Sequence, residues 1–248
     1  MKFLIINLVV LSLSLSQNTD SLFQLGNYYY EDEQYEIAIN NFEQLEKGFA
    51  HEYLYLNLGN SYFKVGELGN AVWAYEKAYS ISPRDEDIIH NLNFVRSQVK
   101  DIIIPPDNFF LFSLYKAALD KTTILDIIIL GGFLSISISI IYLIKSYVFI
   151  NKRINSIFNY TLIFSMLFLM WISLDKYWRI SDIDEAIVVS TSIDVRSAPI
   201  ERGENVVFRI HEGTKAEITT YESGWYEIIL LDGKKGWVSN QYMRKLWK

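Results

Sequence analysis

The chain has 248 residues, no cysteine and a formal net charge of −6, and half of its residues are hydrophobic. Without thiols it has no disulfides, thiolate nucleophiles, thiolate zinc sites or iron–sulfur clusters. Residues 17–123 hold 16 acidic and 8 basic side chains and residues 175–248 hold 12 and 11, so neither part offers the basic surface that nucleic-acid binding requires.

The N-terminus reads as a secretory signal over 1–16. Lys2 supplies the positive region, residues 3–15 the apolar core, and Ser14 and Ser16 the small residues before a cut near Gln17. An uncleaved anchor is the alternative. Either outcome places the chain from residue 20 onward outside the cytoplasmic membrane.

Residues 22–83, within a domain expected over 20–100, carry an internal repeat. Leu22, Leu25, Gly26 and Tyr29, then Ala38 and Phe42, recur as Tyr55, Leu58, Gly59 and Tyr62, then Ala71 and Tyr75, each equivalent pair 33 residues apart. Pro83 closes the second unit. The glycines and alanines allow close helix contact, while Tyr29, Phe42, Tyr62 and Tyr75 fill the space between helices. Turns within the units are expected at 31–34 and 66–70. This pattern resembles the tetratricopeptide repeat. Ile88, Ile89, Leu92, Val95 and Val99 then mark one apolar face, as expected of a capping helix. Tetratricopeptide arrays hold peptide segments in a groove lined by the first helix of each pair. The resemblance places Asn27, Tyr30, Asn60, Phe63 and Lys64 on that surface, where asparagine amides can pair with an extended backbone. Ordinary solvated helix positions are the other reading.

Residues 101–122 form a linker. Pro105 and Pro106 stop helix after Ile102, Ile103 and Ile104. The aromatic cluster Phe109, Phe110, Phe112 and Tyr115 suits a short helix in a membrane interface, or packing against the repeats.

From Ile127 to Leu174 there is no carboxylate, and the only charges are Lys145, Lys152 and Arg153. They separate apolar runs at 124–144 and 157–174. As helices the runs extend roughly 32 and 27 Å, enough for a hydrocarbon layer of about 30 Å. Transmembrane helices are therefore expected over 123–144 and 157–175, in contact with the lipid bilayer. The basic loop over 145–156 is expected in the cytoplasm. Tyr142 and Tyr147 at one end, and Trp171, Tyr177 and Trp178 at the other, suit headgroup layers. Gly131, Ser135 and Ser139 form a small-residue stripe that lets another helix approach. A buried hairpin in an α-helical protein is the competing reading, although runs of 18 and 21 residues are long for it.

Residues 186–248 change to short β-rich runs, with strands expected at 186–191, 205–210, 216–221, 225–231 and 236–238. Ser223-Gly224 and Asp232-Gly233 mark tight turns. The segments Asp194-Val195-Arg196-Ser197-Ala198-Pro199, Glu212-Gly213-Thr214, Gly224-Trp225-Tyr226 and Gly236-Trp237-Val238 resemble the bacterial SH3 domain, a five-stranded barrel. Ala198 departs from the glycine usual before that proline. The family recognises cell-wall peptides or protein segments, which makes Trp225, Tyr226 and Trp237 candidate contact residues. A barrel this small also needs large side chains inside, and Trp237 suits that core role as well.

Nothing in the chain points to catalysis or to a cofactor. His51, His90 and His211 are dispersed, and no H-E-x-x-H, G-x-S-x-G, phosphate loop or G-x-G-x-x-G occurs. The acidic clusters 31–33 and 85–87 fall at helix boundaries, where they favour N-termini or water. The fold class is thus a multidomain membrane protein, with an all-α helical repeat, a two-helix hairpin and an all-β SH3-like barrel. The order of signal, repeats, two spans and barrel resembles BatE-type members of the Bat (Bacteroides aerotolerance) group. That resemblance implies a non-enzymatic scaffold of the bacterial inner membrane with both folded parts in the periplasm. Its expected partners are other membrane or periplasmic proteins, including Bat components with von Willebrand factor A domains. A cell-wall sensor whose barrel binds peptidoglycan is the alternative.

Overall fold

The 33-residue spacing becomes two helix pairs. The structure, a computed structural model, describes residues 21–104, 109–147, 152–181, 184–201 and 203–247. The expected signal at 1–16, Pro105, Pro106 and the connector centre at 148–151 lie outside the described residues. Helix α1 (21–31) pairs with α2 (Tyr35–Glu46), and α3 (Glu52–Lys64) with α4 (Leu68–Ile81). A Cβ built on Gly26 would stand 2.5 Å from the Phe42 ring, and one on Gly59 would stand 2.7 Å from the Tyr75 ring. Equivalent glycines therefore meet equivalent aromatics, and the small–large alternation in the sequence fixes both helix crossings.

The second turn is tighter than expected. It occupies residues 65–67, with Gly66 at φ +85°, and α4 already begins at Leu68. Helix α5 (Glu86–Gln98) starts where the Asp85 side chain accepts hydrogen bonds from the backbone N–H of Asp87 and Ile88, satisfying donors that the first turn leaves open. It buries Ile88, Leu92 and Val95 against the second pair, as the capping pattern implies.

The β part contains β1 (Asp184–Val188), β2 (Ser192–Arg196), β3 (Val206–His211), β4 (Lys215–Glu222), β5 (Trp225–Ile229), β6 (Lys235–Ser239) and β7 (Met243–Lys245). They form one antiparallel sheet in the order β3-β2-β6-β5-β4-β1-β7. Two strands were not expected. β2 lies in the Asp194–Arg196 signature, where Ile193 and Val195 point inward, and β7 has only three residues. Ser223 and Gly224 both take positive φ, the geometry that a two-residue hairpin between β4 and β5 requires.

The repeat helices and the sheet form one compact unit. Ile187 of β1 and Leu246, just after β7, are buried in the core of the repeats, while Ala186, Val188, Ile228 and Val238 fill a second core inside the sheet. Alternation along β1 thus sends neighbouring side chains into two cores.

Helices α6 (Phe110–Asp120), α7 (Ile124–Tyr147) and α8 (Lys152–Ser181) belong to a second unit. α7 and α8 run past the apolar segments into the expected 145–156 loop, because a helix satisfies its own backbone groups. The windows Ile124–Leu143 and Phe158–Trp178 have mean hydropathies of 2.4 and 1.4, and none of their residues is buried. A core hairpin would bury such faces, whereas unburied ones are compatible with membrane anchoring. Gly131, the first residue of the small-residue stripe, does not sit against α8: among the described residues, a Cβ there would meet nothing within 4 Å.

Candidate functional site

Helices α1, α3 and α5, the first of each pair and the cap, line a concave groove of about 260 Å³. Tyr30, Asn60, Phe63 and Lys64, four of the five residues expected there, lie in it. The tetratricopeptide resemblance placed them on the first helix of each pair, and the helix crossings bring those helices together. Asn27 is not in the lining; its Oδ1 accepts a hydrogen bond from Asn57 Nδ2 at 2.8 Å. Asn60 Oδ1 accepts from Tyr75 Oη at 2.7 Å and from Asn91 Nδ2 at 3.2 Å, so this amide is held in place by α4 and α5.

Sequence reasoning missed the other wall. Tyr75, His90, Asn91 and Phe94 complete the groove, and Phe63 and Phe94 meet edge to face with centroids 5.5 Å apart. The signal was present in the spacing of His90, Asn91 and Phe94 on α5, but a capping helix was read only for its buried face. Among the described residues, the lining carries Lys64 and His90 and no carboxylate. Burial pushes the Tyr75 hydroxyl well above its ordinary value, so it remains a hydrogen-bond donor.

The opposite side of α4 holds the sheet. Trp73 Nε1–H donates to the Lys245 carbonyl at 2.8 Å, and the Arg244 guanidinium lies 3.4 Å from the centroid of the Trp73 ring. Arg244 also donates to Tyr62 Oη at 2.8 Å and pairs with Glu43 at 3.2 Å. Lys77 Nζ sits over the rings of Tyr55, Trp73 and Trp247 and pairs with Glu46 at 2.8 Å. Burial, then the Glu46 charge, pushes the Tyr55 hydroxyl up to about 12. Glu76 is buried between Arg96 of α5 and Lys215 of β4. Burial alone would raise its pKa, but the two cations outweigh that and hold the carboxyl below its ordinary range.

Residues after α5 add a second clasp. Asp101 accepts from the His211 N–H at 2.6 Å and from Thr214 Oγ1 at 2.7 Å, and lies 2.9 Å from His211 Nδ1. Gly213, at φ +82°, brings its backbone against Val99. The three histidines serve separate places: His51 caps α3, His90 lines the groove and His211 joins this clasp.

The outer face of the sheet carries a cavity of about 400 Å³ lined by Asp194, Arg196, Arg209, Trp225 and Tyr242 among others. Strand pairing divides the three candidate aromatics. Trp225 and Trp237 share the outer face through the pairs Trp225↔Ser239 and Glu227↔Trp237, whereas Tyr226 packs on the sheet core. Trp237 is half-buried and outside both cores, which corrects the core expectation. Gly236 and Val238 take the inward positions, and a Cβ on Gly236 would press to 2.7 Å from the Arg196 carbonyl oxygen. Asp194 bonds Arg209 at 2.7 Å, ordering one wall of the cavity.

A family model described as Bacterial SH3 domain matches residues 191–244, and one described as Tetratricopeptide repeat matches residues 53–85. The first repeat unit lies outside the latter match, although its Gly26–Phe42 contact copies Gly59–Tyr75. No curated protein matches the chain. A similar solved structure is described as "First TPR of Spaghetti (RPAP3) bound to HSP90 peptide SRMEEVD"; it shares 15% identity, covers 34% of this chain and 94% of its own, and has a TM-score of 0.23. Both matched domains are non-catalytic interaction domains, and together they support a protein-interaction or cell-wall-binding role.

Proposed function

We propose that the protein is a membrane-anchored scaffold of the bacterial cell envelope, in which α7 and α8 cross the inner membrane and the repeats and barrel stand together on the periplasmic side. The observation that carries this reading is the division of labour around the repeats. One side is spent on the barrel, while the groove of Tyr30, Asn60, Phe63 and Lys64 stays open to solvent. Its aromatic rings offer apolar contact, and its amides and hydroxyls offer hydrogen bonds to an extended protein segment. Lys64 and His90, without an opposing carboxylate, favour a neutral or acidic segment over a basic one. Holding two recognition surfaces on one body raises their effective concentration for a shared partner.

The chain order of repeats, two apolar helices and barrel supports a BatE-like assignment within a Bat-type complex linked to aerotolerance. In that setting the partners are envelope proteins, including components with von Willebrand factor A domains. A photo-crosslinking residue in place of Phe63, in the full chain in native membranes, tests this. Protein adducts at Phe63, but not at a matched position in the α4–β7 contact, are expected. Absence of adducts from Phe63 overturns the groove as the binding surface.

A second reading rests on the outer cavity of the barrel, where Trp225 stands beside the mixed charges of Asp194, Arg196 and Arg209. Such a set suits a short zwitterionic cell-wall peptide. Retention of the full chain on isolated wall material, lost in Trp225→Ala, is the expected result under that reading; equal retention of both proteins contradicts it.

A further inference from the structure

We propose that α6 is an interfacial helix, lying in the headgroup layer of a lipid bilayer with Phe110, Leu111 and Leu114 turned into the acyl boundary. The inference rests on the membrane reading of α7 and α8 and adds to it a third element in contact with lipid. Phe110, Leu111 and Leu114 are 72%, 60% and 57% exposed, an unusual state for three large apolar side chains on one turn and a half of helix. At about 100° per residue, α6 divides into three faces. Tyr115 and Leu119 form the face that meets α8. Phe110, Leu111, Leu114 and Ala118 form an apolar arc beside it. Ser113, Lys116 and Asp120 form a polar face, and Phe112, 48% exposed, lies between it and Leu119.

Contacts with α8 set the level at which this helix sits. Tyr115 stacks on Trp171 with centroids 5.1 Å apart, and its hydroxyl donates to Asp175 at 2.7 Å. Lys176 Nζ donates to the Leu119 carbonyl at 3.1 Å, a cation on the last turn of α6, where the helix dipole favours it. Trp171, Asp175 and Lys176 lie where the apolar run of α8 gives way to charge. That end of a spanning helix meets the water–hydrocarbon boundary. α7 departs from the same end after only three residues, with Thr123 N–H and Oγ1 donating to Asp126 at its first turn. The contacts of Tyr115 and Leu119 with α8 thus hold the apolar arc of α6 at the boundary depth, and the windows of α7 and α8 that follow are unburied as well. The occupant that fits an exposed apolar arc held at that depth is lipid.

The absence of native cysteine makes the test direct. Single spin labels are placed through Leu111→Cys, Leu114→Cys, Ser113→Cys, Lys116→Cys and Ile136→Cys in the full chain, reconstituted in phosphatidylcholine–phosphatidylglycerol vesicles. Relaxation by oxygen is then compared with relaxation by a water-soluble nickel complex. Labels at Leu111 and Leu114 are expected to favour oxygen, and those at Ser113 and Lys116 to favour nickel, a sign change that follows the helical period. Ile136, in the middle of α7, reports the membrane reading separately: if it fails to favour oxygen, that reading falls first and the proposal with it. If Ile136 favours oxygen while Leu111 and Leu114 favour nickel, the arc faces water and the proposal is overturned. If Leu111 and Leu114 are shielded from both reagents, protein covers the arc, a second copy included, and the proposal is overturned as well.

Discussion

At Gly26 and Gly59 an added methyl would stand 2.5 and 2.7 Å from aromatic carbons of Phe42 and Tyr75. Both rings are almost fully buried and have nowhere to retreat. Gly26→Ala and Gly59→Ala should each destabilise the repeats by about 1–3 kcal/mol, the usual cost of overpacking. Gly48→Ala, with nothing within 4 Å, should leave stability unchanged. Thermal unfolding in detergent micelles separates the three variants. Glu76 gives a pH signature. Its folded-state pKa lies below the ordinary 4.5, so the stability it contributes is present above that value and is lost as pH falls through the lower one. The stability advantage of the wild type over Glu76→Gln should therefore be full at neutral pH and shrink on acidification, as read from melting temperatures across an acid series.

Helix α4 does two jobs, and its sequence shows only one of them. Ala71 and Tyr75 repeat the spacing of Ala38 and Phe42, so its contact with α3 was legible from the 33-residue period. Trp73 and Lys77 belong to no repeat pattern, because their partners lie in a different fold; Trp73 and Lys245 are 172 residues apart. Local periodicity carries no information about such a pairing. The same limit explains β7, too short to alternate visibly, and the α5 wall of the groove, whose polar residues mean nothing until α3 stands opposite. By contrast, the β4–β5 hairpin was readable at Ser223-Gly224, since backbone geometry there is a local property. Arg244→Ala removes the stack on Trp73 and the bonds to Tyr62 and Glu43 together. The expected loss is about 2 kcal/mol, with faster amide hydrogen exchange in β1 and β7 and unchanged exchange in β5 and β6. Equal acceleration throughout the sheet would contradict a role for Arg244 specific to the repeat–barrel contact.

For the whole molecule, shared burial constrains topology. Ile187 and Leu246 lie in the core of the repeats, so the repeats and the barrel must occupy the same compartment. The two long apolar helices fall between them in the chain, and two crossings return a chain to the side it left. An odd number would tear this body apart. The proposed anchoring then puts the basic residues Lys145, Lys152 and Arg153 in the cytoplasm and the folded unit outside. The most direct test is labelling of single-cysteine variants by a membrane-impermeant maleimide on intact spheroplasts, using Glu31→Cys in the repeats, Glu222→Cys in the barrel and Asn151→Cys in the connector. Reaction at residues 31 and 222 without permeabilisation, and at residue 151 only after it, is the predicted result. Labelling of residues 31 and 222 from opposite sides of the membrane would contradict it.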